Sequence, residues 1–397
     1  MNLSKLREWW WNRAGLDGSL RERSPAEVLE RAGWARSVGG VGPYLTLFAR
    51  AGTSRADAEA AVAAQRIHEL PAARGCTYVV PARDFALALR VGAGFGDAEM
   101  KTAAKLGVTD DEIDRLCAAV VQSLAKSGPL DPDGIRAATG DASRSLGEEG
   151  KKKGLTTTLP IALGRLQARG DIRRVPVNGR LDQQRYAYVA WSPNPLADGD
   201  SVEDPFVTLG RRFFAWHGPA TVAEFQWFSG LGVKATKAAV EPLGLVPAEE
   251  GSDRLLLPED ADAWRRFEPG GDKRYALVSS LDPISANRRD VQMLLDPSDV
   301  ERFTAFVGTD RANSGLMDLP SHAILERGRL VGLWEYSPDE GAIVWGAFDR
   351  RRDRALDAAI EETTAFVRDQ LGDARSFSLD SPKSRSPRIE ALRGLGG

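Results

Sequence analysis

The run GLTTTLPIALGRLQARGDIRRVPVNGRLDQQRYAYVAW, from Gly154 to Trp191, restricts the fold more than any other part of this chain. Thr157 or Thr158 can cap a helix whose Pro160 falls in the first turn, where its missing N–H leaves no hydrogen bond unmade. Leu155, Leu159, Ala162, Leu163 and Leu166 recur at spacings of three and four, which buries one face and leaves Arg165, Gln167 and Arg169 largely outside it. Gly170 ends the helix in a left-handed cap position. DIRRVPV then alternates as a strand, Asn178-Gly179 is a hairpin turn, and QQRYAYVAW returns. Upstream, TDDEIDRLCAAVVQSLAKSG and LDPDGIRAATG read as two more helices. Three helices and a ribbon make a winged helix-turn-helix, with residues 160–169 in the recognition position and Asn178-Gly179 at the wing tip.

The charge of this segment is one-sided. Residues 151–190 hold nine Lys or Arg against Asp171 and Asp182, inside a chain whose net charge is −3. One concentrated basic segment in an acidic chain fits a localised phosphate-facing surface. Lys151, Lys152, Lys153, Arg165, Arg169, Arg173, Arg174, Arg180 and Arg185 are the candidate contacts, and Arg288 is added from a later segment.

The same order of parts recurs downstream. DPFVTLGRRFFAWHG is a helix ended by Gly218-Pro219, Thr221 and Glu224 form a capping box, GVKATKAAVEPLG is a third helix, and LVPAEEGSDRLLLPE is a hairpin around an acidic turn. The expected organisation is a helical or winged-helix region over 1–100, a winged helix over 101–192, a further one over 205–260, and an α+β domain over 270–397. DASRSLGEEGKKKG and SPNPLADGDSVEDP read as loops, the second as an inter-domain linker. Trp9, Trp10 and Trp11 cannot share one helix face, so two are expected in the core and the third is left open to base stacking.

Several function classes lack material. Two cysteines and three well-separated histidines supply neither a disulfide framework, nor the usual zinc spacing, nor a Ser/His/Asp triad. No apolar run approaches the ~20 residues of a membrane span. The start MNLSKLREWWWNRAG lacks the apolar core and cleavage site of a secretory signal, so a cytoplasmic, DNA-associated protein is expected.

Taken together, GLTTTLPIALGRLQARGDIRR, HGPATVAEFQWFSGL, SLDPISANRRD, RGCTYVVPARDF and ERGRLVGLWEYS resemble, in order, segments of the tandem winged-helix DNA glycosylases of the AlkZ-like type, which unhook alkylated bases and interstrand crosslinks. The resemblance implies an α+β fold: tandem winged helix-turn-helix domains around a DNA-binding channel, closed by a small β-rich C-terminal domain. It implies double-stranded DNA, alkylated or crosslinked, as partner, and no metal or organic cofactor. That family's catalytic loop, Gln-aliphatic-Gln or Gln-aliphatic-Asp, falls on Arg36, Ser37 and Val38 when counted back from YLTLFAR. Neither polar residue is kept there.

Glycosidic cleavage passes through a cationic sugar, so a carboxylate or amide must orient water, and the nucleotide must leave the base stack. Arginine stays protonated and is a poor base, so Arg36 is read as a phosphate contact beside the extruded nucleotide or as surface charge. Catalytic candidates are therefore Arg36, Ser37 and Asp282, the last either lining the channel or serving its Asp-Pro turn. Three functions stay open: a glycosylase, a DNA binder that has lost the loop chemistry, and a protein-interaction module.

Overall fold

The computed structural model describes residues 1–197, 204–288, 290–307, 317–348 and 353–395, so the middle of the expected linker and Arg289 lie outside the described residues. The chain begins with α1 (Leu3–Arg13), capped by Asn2, and α2 (Pro25–Ala32), which starts at a Ser24–Glu27 capping box. There follow β1 (Ala35–Arg36), α3 (Gly42–Ala51), α4 (Arg55–Ala63), β2 (Ile67–Pro71), β3 (Thr77–Pro81) and α5 (Phe85–Gly92). The three strands form an antiparallel sheet in the order β1-β3-β2. Side chains alternate across a sheet, so Glu69 and Thr77 share one face while Arg36 and Tyr78 share the other. The Ser37 amide donates to the Thr77 carbonyl, which carries this alternation one residue past β1.

The basic segment folds in the order its sequence predicts. After α6 (Asp97–Ala104) come α7 (Asp110–Ser127), α8 (Pro132–Thr139), α9 (Gly147–Lys152) and α10 (Leu159–Ala168), then a ribbon of β4 (Ile172–Pro176) and β5 (Tyr186–Ala190). A second set, α11 (Pro205–His217), α12 (Val222–Ser229), α13 (Val233–Val240) and the short ribbon β6 (Val246–Pro247) and β7 (Leu255–Leu256), repeats the order. α12 carries the Thr221–Glu224 capping box. Beyond α14 (Ala261–Arg266), β8 (Tyr275–Val278), α15 (Pro283–Ala286), α16 (Val300–Val307), β9 (His322–Glu326), β10 (Arg329–Ser337) and β11 (Ala342–Ala347) give an antiparallel sheet ordered β11-β10-β9-β8. Helices α17 (Arg354–Phe366) and α18 (Pro382–Leu395) complete the chain.

Three expectations change. All three N-terminal tryptophans are buried, because α1 is enclosed on every side. The Trp9 and Trp10 indoles donate to the Gly218 and Pro219 carbonyls, and Trp11 belongs to the core shared with the C-terminal sheet. The expected loop over 141–154 contains α9, whose acidic first turn and basic last turn match the helix dipole. The hairpin is not a two-residue turn: nine residues separate β4 from β5. Leu181 within that loop is fully buried, its amide donates to the Tyr44 hydroxyl, and Arg180 reaches the Leu371 carbonyl. The returning part of this loop, Leu181 and Asp182, is thus docked on the N-terminal region, while Val177 and Asn178 at its tip stay exposed. The last helix, α18, takes in the Ser- and Pro-rich run from Pro382 to Pro387, and is held by Arg388, which bridges Glu335 and Asp380.

Candidate nucleic-acid interface and the cleft beside it

A cleft of about 640 Å³ separates α10 from the edge of the N-terminal sheet. Ile161, Gly164, Arg165 and Gln167 of α10 form one wall, with Thr77 and Arg174 on the other. The packing that positions α10 follows its pattern: Leu155, Leu159, Ala162, Leu163 and Leu166 are buried, and Ile161, outside that pattern, joins them.

The cations around it are less available than a count along the sequence implies. Arg165 donates to Asp110 and Asp114 at 2.6 and 3.0 Å, and Arg169 meets Asp114 at 3.4 Å. Both acids lie on α7, outside the basic segment. Arg180 pairs with Asp182. Lys151 and Lys152 make i,i+3 contacts with Glu148 and Glu149 at 3.6 and 3.3 Å, exposed pairs that constrain little. Lys153 and Arg185 are exposed. Arg173 is half-buried, with a sealed, unpaired Nε and a pKa lowered by burial. Arg174 stacks on the Tyr186 ring at 4.6 Å and approaches Thr77 Oγ1 at 3.5 Å.

Two sequence candidates leave the surface. Asp282 is fully buried, its oxygens taken by the Arg50 guanidinium at 2.7 and 2.8 Å while it caps the Ile284 amide. It clamps α3 to α15 and does not line a channel. Arg288 is 3 % exposed, donates to the His217 carbonyl, and lies over the Trp10 ring at 3.7 Å, so no phosphate reaches it. In each case the charge is satisfied internally, as a buried ion must be.

Arg36 and Ser37 separate onto opposite faces. Arg36 lies beside Tyr78, with its Nε sealed and unpaired. Ser37 is buried and donates to Glu69. The glycines after it approach the chain itself: a Cβ on Gly40 would stand 2.3 Å from the Ser376 carbonyl oxygen. The unusual backbone path is used for packing against residues 375–378.

Glu69 itself was not picked out from the sequence, where IHELP reads as an ordinary strand. It is 3 % exposed, and burial raises its pKa against the opposing influence of Arg174, Ser37 and Tyr186. The Tyr186 hydroxyl lies 3.4 Å from the same oxygen that Ser37 engages. A short chain of polar groups, Ser37, Glu69, Tyr186, Arg174 and Thr77, thus runs from the loop after β1 to the cleft wall.

Helices and a basic ribbon thus stand beside an antiparallel sheet, with a cleft lined in part by Lys101, Arg165, Arg169 and Arg174. The family model DNA glycosylase AlkZ-like matches residues 41–366, and the chain belongs to that family. Among solved structures it is similar to the Streptomyces sahachiroi DNA glycosylase AlkZ, with 17 % identity and a TM-score of 0.66, covering 95 % of this chain and 98 % of that one. At that identity the likeness speaks for the fold. No curated protein matches the chain. No helix among the described residues is long and apolar enough to cross a membrane.

Proposed function

We propose that the chain is a DNA glycosylase of DNA repair that binds double-stranded DNA through winged helices and releases a base carrying a bulky alkyl group or crosslink. Membership of the AlkZ-like family over residues 41–366 carries this reading. In it, α7, α8, α10 and the β4–β5 ribbon are one winged helix with α10 as recognition helix, and α11 to α13 with β6 and β7 are another. Glu249, Glu250 and Asp253 make the second ribbon acidic and the poorer surface for phosphate. The cleft of about 640 Å³ lies within the ~300–1,000 Å³ of small-molecule sites, enough for an extruded base with a large substituent. Hydrolysis by water asks for neither metal nor organic cofactor.

Duplexes bearing one alkylated base or one interstrand crosslink are incubated with the protein, and abasic sites are read by alkaline strand cleavage. Release from at least one supports the reading; none from any duplex overturns it. A second reading, a duplex binder without chemistry, is favoured by Arg36 and Val38 standing where that family's polar pair belongs. It predicts salt-dependent binding and no abasic sites.

A further inference from the structure

We propose that Glu69 supplies the carboxylate that activates the hydrolytic water, in place of the polar pair absent at Arg36 and Val38; this rests on the glycosylase reading above. Glu69 lies on β2, on the sheet face it shares with Thr77, and Thr77 lines the cleft. The Ser37 and Tyr186 hydroxyls both face Oε1. Oε2 has no hydrogen bond to the described residues, yet it is not among the sealed unpaired atoms, so it keeps an opening.

Its surroundings are those of a base held ready. The residue is 3 % exposed, and no Lys or Arg among the described residues comes within ion-pair distance. Such a burial costs stability that a glutamine or an aliphatic residue would not. The groups around it come from three places, the loop after β1, β4 and β5, so the N-terminal sheet and the basic ribbon meet at this carboxylate. Burial holds the carboxyl above its ordinary range, toward the pH at which a general base works best.

The step balances without a co-reactant. As the C1′–N bond breaks, its electron pair leaves with the base, and a base alkylated on a ring nitrogen departs neutral without a proton. Water oxygen bonds to C1′, one water proton passes to Glu69 Oε2, and the carboxylate returns it to solvent. The negative charge also steadies the cationic sugar. Ser37 and Tyr186 fix Oε1, so Oε2 is the oxygen that faces water.

Wild type, Glu69→Gln and Ser37→Ala are compared for base release over pH 4.5–9, duplex affinity by fluorescence anisotropy, and melting temperature. Wild type is expected to show a rising limb above the ordinary glutamate value of ~4.3. Glu69→Gln should lower the rate at least ~100-fold and abolish that limb, with duplex affinity within about threefold. Ser37→Ala removes a donor that favours the ionised form and should move the limb to higher pH. An active wild type beside a Glu69→Gln variant within about threefold of its rate overturns the assignment and leaves the glycosylase reading intact. If Glu69→Gln fails to fold, an unmoved limb in Ser37→Ala overturns it. A wild type that releases no base from any duplex defeats the glycosylase reading, and Glu69 with it.

Discussion

Replacing Asp282 by Ala tests whether that acid is a clamp or part of the chemistry. Arg50 and Asp282 are both fully buried, and their fork closes at 2.7 and 2.8 Å across more than two hundred residues of chain. With the carboxylate gone, Arg50 keeps only the Ala14 and Thr46 carbonyls, at 2.8 and 3.1 Å, and its charge stays out of water. Removing one partner of such a pair costs about 3–5 kcal/mol. The lost cap on the Ile284 amide adds about 1 kcal/mol. Against a total stability of about 5–15 kcal/mol, that brings the variant close to unfolding at ambient temperature. Urea denaturation at pH 7, followed by tryptophan fluorescence and near-ultraviolet dichroism, gives the change in midpoint. Arg50→Met/Asp282→Leu should recover much of the loss, because no stranded charge remains. Asp282→Ala within about 1 kcal/mol of wild type refutes the reasoning. So does Asp282→Asn if it loses base release at unchanged stability, which would restore a catalytic role.

The remaining outcomes follow from other buried or paired groups. His68 is buried with both ring nitrogens unpartnered, and burial, helped by Arg173 and Arg174, pushes its pKa down to about 3. Its unfolded value is ~6.5, so its contribution is fully present above that pH and is lost toward pH 3, at about 1.4 kcal/mol per unit. His68→Phe should flatten the acid side of a plot of urea midpoint against pH, and an unchanged slope would contradict the burial argument. Because Asp110 and Asp114 hold Arg165, Asp110→Asn/Asp114→Asn should tighten duplex binding and steepen the salt dependence by roughly one unit per freed phosphate contact. Unchanged affinity would mean that Arg165 does not meet DNA. Leu181→Ala, which empties the socket of the β4–β5 loop, should cost about 2–5 kcal/mol by urea melt, whereas an undocked loop would lose almost nothing.

Local signals carried much of the fold. The leucine spacing of α10 and the Ser24 and Thr221 capping boxes are short-range features, and each lies where its residues require. The site was less legible because its partners are distant in sequence. Asp110 and Asp114 neutralise cations some fifty residues away, Arg50 captures Asp282 across 232, and Ser37 meets Glu69 across 32. Charge counted along the sequence therefore overstated the free basic surface. Glu69 carried one cue, a carboxylate beside His68 inside a short strand that is almost wholly buried, where an acid without a cationic partner is costly. The tryptophan run misled for the opposite reason: a helix enclosed on all sides needs no polar face.

Hydrogen–deuterium exchange of the protein with and without an alkylated duplex tests most directly where DNA is seated. Protection over residues 159–176 and 186–190, with 246–256 unchanged, is the expected result. Protection confined to α11–α13 and the acidic ribbon, at duplex concentrations that saturate binding, would contradict it.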